Sequence, residues 1–171
     1  MVCTGVKLDW GKVGGLSEAV GRGGVCSNYS PDHVNYTWEC LKALKPGSKA
    51  VFTQPPLPFK CPGAPQKIVY LTADHLQRRG ILPDEVNYQH NLVAVDAKAK
   101  TAIFEIAGGD KQGQRIEVPY DMLHVSPPQS PSDDAITLSD LDQLAGEKWH
   151  AENHWRVDKI LNIDGVKSTV E

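Results

Sequence analysis

The sequence predicts a mixed α/β fold. Two helical stretches separated by one short apolar strand, and a run of turn-separated strands from Val86 onward, carry that prediction. Composition agrees: 40% hydrophobic and 23% charged residues are the proportions of a chain that buries a core. At 171 residues there is room for one domain or for part of a larger one.

The elements follow in chain order. Met1-Val2-Cys3-Thr4-Gly5 reads as the end of a buried strand entering a Gly turn, an opening that suggests a piece of a longer protein. Residues 11–27 are Gly-rich and read as loop. Ser30-Pro31-Asp32 is a helix start, with a hydroxyl cap, Pro at the first helical position and an acid in the first turn. Val34, Trp38, Leu41 and Leu44 follow at helical spacing until Lys45-Pro46-Gly47 stops them. Ala50-Val51-Phe52 is an apolar run between breakers and reads as a strand. A Pro-rich loop over 54–65 leads to a second helix over 66–80, with Ile68, Leu71, Thr72 and Leu76 on one face and Gly80 beyond its end. Residues 91–95, 101–106 and 114–118 read as strands, Gly108-Gly109-Asp110 marking a hairpin between the last two. Met122-Leu123-His124-Val125 is a further strand, ended by Pro127-Pro128. Residues 127–134 read as a polar connector, and one short amphipathic helix is expected after Thr137.

Charge and cysteine usage exclude several function classes. A net charge of -3 builds no basic stripe for phosphate, so nucleic acid is not an expected partner. No apolar run approaches the roughly 20 residues that cross a bilayer. Lys7 and Asp9 interrupt any signal peptide, and the Arg-rich start of a transit peptide is missing. Cys3, Cys26, Cys40 and Cys61 contain no C-x-x-C, so no zinc knuckle or thioredoxin-like pair is encoded; free thiols are expected. Cys40, beside helix residue Leu41, reads as packing. His150 and His154 stand four apart near Glu147 and Glu152, but the string is not H-E-x-x-H, and Trp149 and Trp155 suggest packing; no metal site is expected. His124, inside a strand, reads as a buried and hydrogen-bonded histidine.

The stretch with chemical character is Phe52-Thr53-Gln54-Pro55-Pro56-Leu57-Pro58-Phe59-Lys60-Cys61-Pro62-Gly63-Ala64-Pro65-Gln66-Lys67. A strand ends, a rigid loop crosses over, and a helix begins just after a cysteine. The positive end of a helix, with Lys60 and Lys67 nearby, favours the anionic form of sulfur, which attacks disulfides, binds sulfur species or adds to a flavin. Local sequence leaves a second reading open, a structural cysteine in a proline loop.

Three blocks together carry a family resemblance: Gly24-Val25-Cys26-Ser27-Asn28-Tyr29-Ser30, the stretch from Phe52 to Lys67, and Met122-Leu123-His124-Val125-Ser126-Pro127-Pro128-Gln129-Ser130-Pro131. In this order they resemble the sulfide:quinone oxidoreductases, most closely the eukaryotic, mitochondrial-type branch, over residues 1 to about 132. The resemblance implies a partial fold of two Rossmann-like, dinucleotide-binding domains with a mixed sheet and β-hairpins, from a FAD flavoprotein. Such enzymes oxidise sulfide, hold sulfane sulfur on paired cysteines and pass electrons through FAD to a quinone, docked peripherally on the mitochondrial inner membrane. By resemblance Cys61 is one of the paired cysteines and Lys67 lies near the flavin and substrate pocket. Pro127 and Pro128 would pack along the cofactor, and Thr4 and Gly5 belong to its binding segment. Tyr29 and its neighbours fill a region where some bacterial relatives place a further cysteine; Cys26 is offset from it.

Departures from the family pattern are equally specific. Gly21-Arg22-Gly23-Gly24 is not the G-x-G-x-x-G that cradles a pyrophosphate and follows no strand. A second redox cysteine has no match, and only Pro83-Asp84-Glu85 stands where the family inserts a strand and helix. The expected division is a FAD-domain-like segment with a connecting helix (1–48), a partial second nucleotide-binding-like domain carrying Cys61 (49–132), and a divergent tail (133–171). Two functions follow as expectations: a fragment of a sulfide-oxidising flavoenzyme, inactive alone, or a non-catalytic remnant that serves as an interaction module.

Overall fold

In a computed structural model, residues 5–56, 59–81 and 89–131 are described. The chain divides into two compact units, residues 9–128 and the pair 1–8 with 129–171. In the smaller unit β1 (Val6–Leu8) pairs antiparallel with β8 (Gln129–Pro131), Lys7 opposite Ser130. The expected connector therefore begins as a strand: extended backbone after two prolines finds open hydrogen-bonding groups on β1. Thr4, the cysteine at position 3 and the histidines at 150 and 154 lie outside the described residues, as does the helix expected after Thr137.

The larger unit is built around a three-stranded parallel sheet in the order β2 (Val25–Cys26), β7 (Met122–His124), β3 (Ala50–Phe52). Strands β2 and β3, from either side of the expected boundary at residue 48, share β7 as their neighbour. Side chains alternate across this thin sheet. Val25, Leu123 and Val125 join one cluster; Cys26 and Met122 join another.

The first cluster lies against an antiparallel meander of β4 (His90–Asp96), β5 (Thr101–Ile106) and β6 (Arg115–Pro119), which contributes Val95, Ala102 and Phe104. The hairpin expected at Gly108 joins β5 to β6. Strand β4 carries an irregularity between Leu92 and Ala94, where the carbonyl of Val93 turns to accept the Gly14 amide at 3.0 Å. The Gly-rich stretch is more structured than a loop: it holds a 3₁₀ turn (Trp10–Lys12), a single helical turn α1 (Leu16–Ala19) and β2. Its glycines permit close crossings. A Cβ on Gly15 would stand 2.4 Å from the Val95 carbonyl oxygen, and one on Gly24 would stand 2.3 Å from that of Asp121.

The second cluster seats two helices, α2 (Val34–Ala43) and α3 (Gly63–Arg78). Helix α2 begins after the expected cap, because the Ser30 carbonyl closes a turn with the His33 amide (3.1 Å) and His33, whose side chain caps nothing, takes the N-cap position. The buried face is Thr37, Cys40, Leu41 and Leu44, while Val34 and Trp38 face outward. Helix α3 begins three residues earlier than expected. Pro65 fits inside its first turn because amides there have no intrahelical acceptor to lose. Thr72 and Leu76 are buried as expected, whereas Leu71 is 67% exposed. Gly80, at φ 73°, ends α3. Arg79 donates to the carbonyls of Leu41 (3.4 Å) and Leu44 (2.9 Å), satisfying the end of α2.

Candidate functional site at the carboxyl end of the parallel strands

Parallel strands place their following loops at one end, and ligands of open α/β sheets bind there. Ser27-Asn28-Tyr29 follows β2, Thr53 follows β3, and Val125-Ser126 follows β7, so three sequence-distant segments meet. Ser27 Oγ donates to the Val125 carbonyl at 2.6 Å and accepts the Tyr29 amide at 3.2 Å. The Thr53 amide donates to the His124 carbonyl at 3.0 Å, and Thr53 Oγ1 accepts the Ser126 amide at 3.2 Å.

His124 is fully buried and stacks on Phe52, ring centroids 5.8 Å apart. Its Nε2 accepts the Asn28 amide at 3.1 Å, which places the ring proton on Nδ1. Nδ1 has no hydrogen-bond partner, so the expected satisfied histidine is half satisfied. Burial pushes its pKa down to about 4. The ring is neutral near pH 7.

Cys61 ends the loop that leaves β3 and stands just before α3, its carbonyl accepting the Ala64 amide at 2.9 Å. Its backbone is in the left-handed region, φ 58°, which a side chain with a Cβ occupies at a cost. Cys26 and Cys40 are buried, and Cys61 is exposed. Burial raises the Tyr29 phenol above its ordinary value; the neighbouring Ser126 hydroxyl opposes that shift and the nearby Cys61 sulfur adds to it. The Tyr29 and Ser126 hydroxyls are buried, and neither closes a hydrogen bond of normal geometry. Cys61 thus lies near enough to Tyr29 to influence its phenol, and Ser126 neighbours that same phenol.

Of the other expected site residues, Lys67 is exposed on the second turn of α3, and Gly5 is exposed in the smaller unit with φ 78°. Pro127 is fully buried. Pro128 lines a shallow cleft with Val13, Thr53, Gln54, Val125 and Ser126. Sequence reasoning passed over Thr53 and Ser126. Their signal is positional: each is the first polar residue after an apolar strand of the parallel sheet.

The cleft encloses only about 10 Å³, far below the roughly 300–1,000 Å³ of sites that enclose a drug-sized ligand. The glycines of 21–24 are spent internally, the Gly21 amide donating to Val25 (2.8 Å) and the Gly24 carbonyl accepting Leu123 (2.9 Å). They open a strand instead of a helix. The described residues therefore do not fit the pyrophosphate and adenine of FAD. No group of His, Cys, Asp and Glu able to hold a metal occurs among them.

The mitochondrial sulfide:quinone oxidoreductase of Dictyostelium discoideum is 39% identical across 77% of this chain. The chain belongs to the sulfide:quinone oxidoreductase family. Sulfide:quinone oxidoreductases of Mus musculus and Schizosaccharomyces pombe, both named as mitochondrial, are 35% and 26% identical over 78% and 85% of it. The chain spans between 35% and 38% of the length of these three relatives. No family model matches it. Among solved structures, a chain of the Tetrahymena thermophila mitochondrial ATP synthase is similar, with a TM-score of 0.52 and 17% identity over 83% of this chain and 42% of that one. That likeness concerns fold alone.

Proposed function

We propose that this chain supplies the sulfur-handling cysteine of a mitochondrial sulfide:quinone oxidoreductase, and that the cysteine is Cys61. The observation that carries the proposal is the exposure of Cys61 where the other described cysteines are buried, at the end of a parallel sheet where ligands are expected. In this reading sulfide loses two electrons and its sulfur rests on Cys61 as sulfane sulfur, while Tyr29 and Ser126 supply hydrogen bonds to the changing charge. FAD held by the whole enzyme would supply the two-electron acceptor, with a quinone as the final acceptor. Its pyrophosphate contacts are assigned outside the described residues. Lys67, Pro127 and Pro128 face the cofactor in this reading, with Thr4 and Gly5 in its binding segment, and the whole enzyme docks peripherally on the inner membrane.

The absence of a pyrophosphate cradle among the described residues favours a second reading, a remnant that keeps the α/β core without chemistry. Inorganic polysulfide separates the two. Lys60 and Lys67 bracket Cys61, so trypsin isolates it in the peptide 61–67. Under the first reading that peptide gains about 32 Da per added sulfur, whereas the peptide 23–42 with Cys26 and Cys40 stays unchanged in folded protein. Equal labelling of both peptides, or none at Cys61, would overturn the assignment.

A further inference from the structure

Fourteen positions apart in sequence, Cys26 and Cys40 meet in space. Cys26 ends β2, Cys40 lies on the inner face of α2, and both belong to the same buried cluster with Leu41, Leu44 and Met122. Their side chains are close enough to act on one another, Cys40 raising Cys26 and Cys26 lowering Cys40. The Tyr36 hydroxyl also reaches the Cys40 sulfur and accepts the Gly24 amide at 3.1 Å, so it is held in place. The two cysteines are free thiols.

We propose that Cys26 and Cys40 form an oxidisable dithiol that a small peroxide converts into an intrachain disulfide, tying α2 to β2. The two sulfurs differ in character. Neighbouring Cys26 and Tyr36, and the charge of Lys100, draw the Cys40 thiol below its ordinary pKa against the effect of burial. Neighbouring Cys40 and burial push Cys26 up. Cys40 is also the more accessible, at 7% exposure against 0%. Cys40 is therefore the nucleophile and Cys26 the resolving thiol.

In the first step the Cys40 thiolate attacks one oxygen of hydrogen peroxide. An S–O bond forms, the O–O bond breaks and hydroxide leaves, giving a sulfenic acid. Then the Cys26 sulfur attacks Cys40; the S–S bond forms, the S–O bond breaks, and the Cys26 proton leaves with the oxygen as water. Two thiols give up two electrons, and peroxide ends as two molecules of water.

The test uses the full chain carrying Cys3→Ser and Cys61→Ser. No Lys or Arg lies between Arg22 and Lys42 except at those ends, so one tryptic peptide, 23–42, contains both remaining cysteines. After hydrogen peroxide, unfolding and maleimide labelling, that peptide is expected to take no label and to be about 2 Da lighter. Dithiothreitol restores both labels, and cleavage at Glu39 leaves two fragments joined by the disulfide. Closure in the folded chain is expected to be at least about tenfold faster than in urea, because the fold raises the effective concentration of one thiol at the other. Two outcomes overturn the proposal: a Cys40 sulfinic acid with Cys26 still labelled, or closure no faster in the fold than in urea.

Discussion

His124 shows how much one residue's burial decides. Its Nε2 accepts the Asn28 amide and its Nδ1–H has no partner, so protonation at Nε2 would break the Asn28 bond and leave a charged, fully buried ring with two unmet donors. With a folded pKa near 4 against an ordinary 6.5, the unfolded chain takes up the proton first as pH falls. The stability this neutral ring contributes is present above pH 6.5 and is lost between there and pH 4. We expect a loss on the order of 2 kcal/mol from this residue between pH 7 and pH 5, at about 1.4 kcal/mol per pKa unit. Urea unfolding at both pH values, with His124→Gln as comparison, measures it. An equal fall in the variant would show that other groups are responsible. Cys61 is a second residue whose state was not readable locally. A helix after it was legible, though expected from residue 66 and not 63; its left-handed backbone comes from the path the loop takes between β3 and α3.

At the scale of elements, periodicity located both long helices and misassigned part of their faces. Trp38 and Leu71 are at core-compatible spacing, yet Trp38 is 48% and Leu71 67% exposed. In each helix small or polar residues, Thr37, Cys40 and Thr72, are buried where these larger ones are not. A short parallel sheet leaves little distance between helix and strand, and compact side chains allow that approach. The Gly-rich segment was misread for a related reason, since its strand has two residues and its helix one turn, and both exist through contacts with β7 and β4. Gly24→Ala is expected to destabilise the chain by roughly 2 kcal/mol or more, because its φ of 85° suits glycine and the added Cβ would meet the Asp121 carbonyl oxygen at 2.3 Å. Gly109, at φ 77° with open space around it, serves as the control. Gly109→Ala should cost about 1 kcal/mol from backbone conformation alone. Thermal or urea midpoints of both variants check this, and equal losses would mean that the close crossing at Gly24 relaxes.

For the whole molecule, the described residues hold a sulfur-bearing end of a sheet and no cradle for a dinucleotide. We expect the purified chain to bind no stoichiometric FAD: titration with FAD followed by desalting should leave no visible flavin absorbance. A retained yellow stoichiometric complex would overturn that reading of residues 21–24. The polysulfide reaction of Cys61 is independent of the result, because it needs the sulfur and its neighbours but no bound flavin.

The sequence by itself determined the mixed α/β class, both long helices, the meander with its hairpin at Gly108 and the prominence of Cys61. Each of these is written in short-range signals: apolar spacing, turn residues, and a proline loop running into a helix. The family was legible too, because its residues stand in three blocks in order. Tertiary structure alone decided the parallel pairing of β2, β7 and β3, which draws together residues nearly a hundred positions apart and so has no local signal. From that pairing follow the meeting of Tyr29 with Ser126, the half-satisfied His124 and the nearness of Cys26 to Cys40. Parallel strands must be joined by long crossovers, so the residues that share the end of such a sheet become neighbours only once the chain has folded.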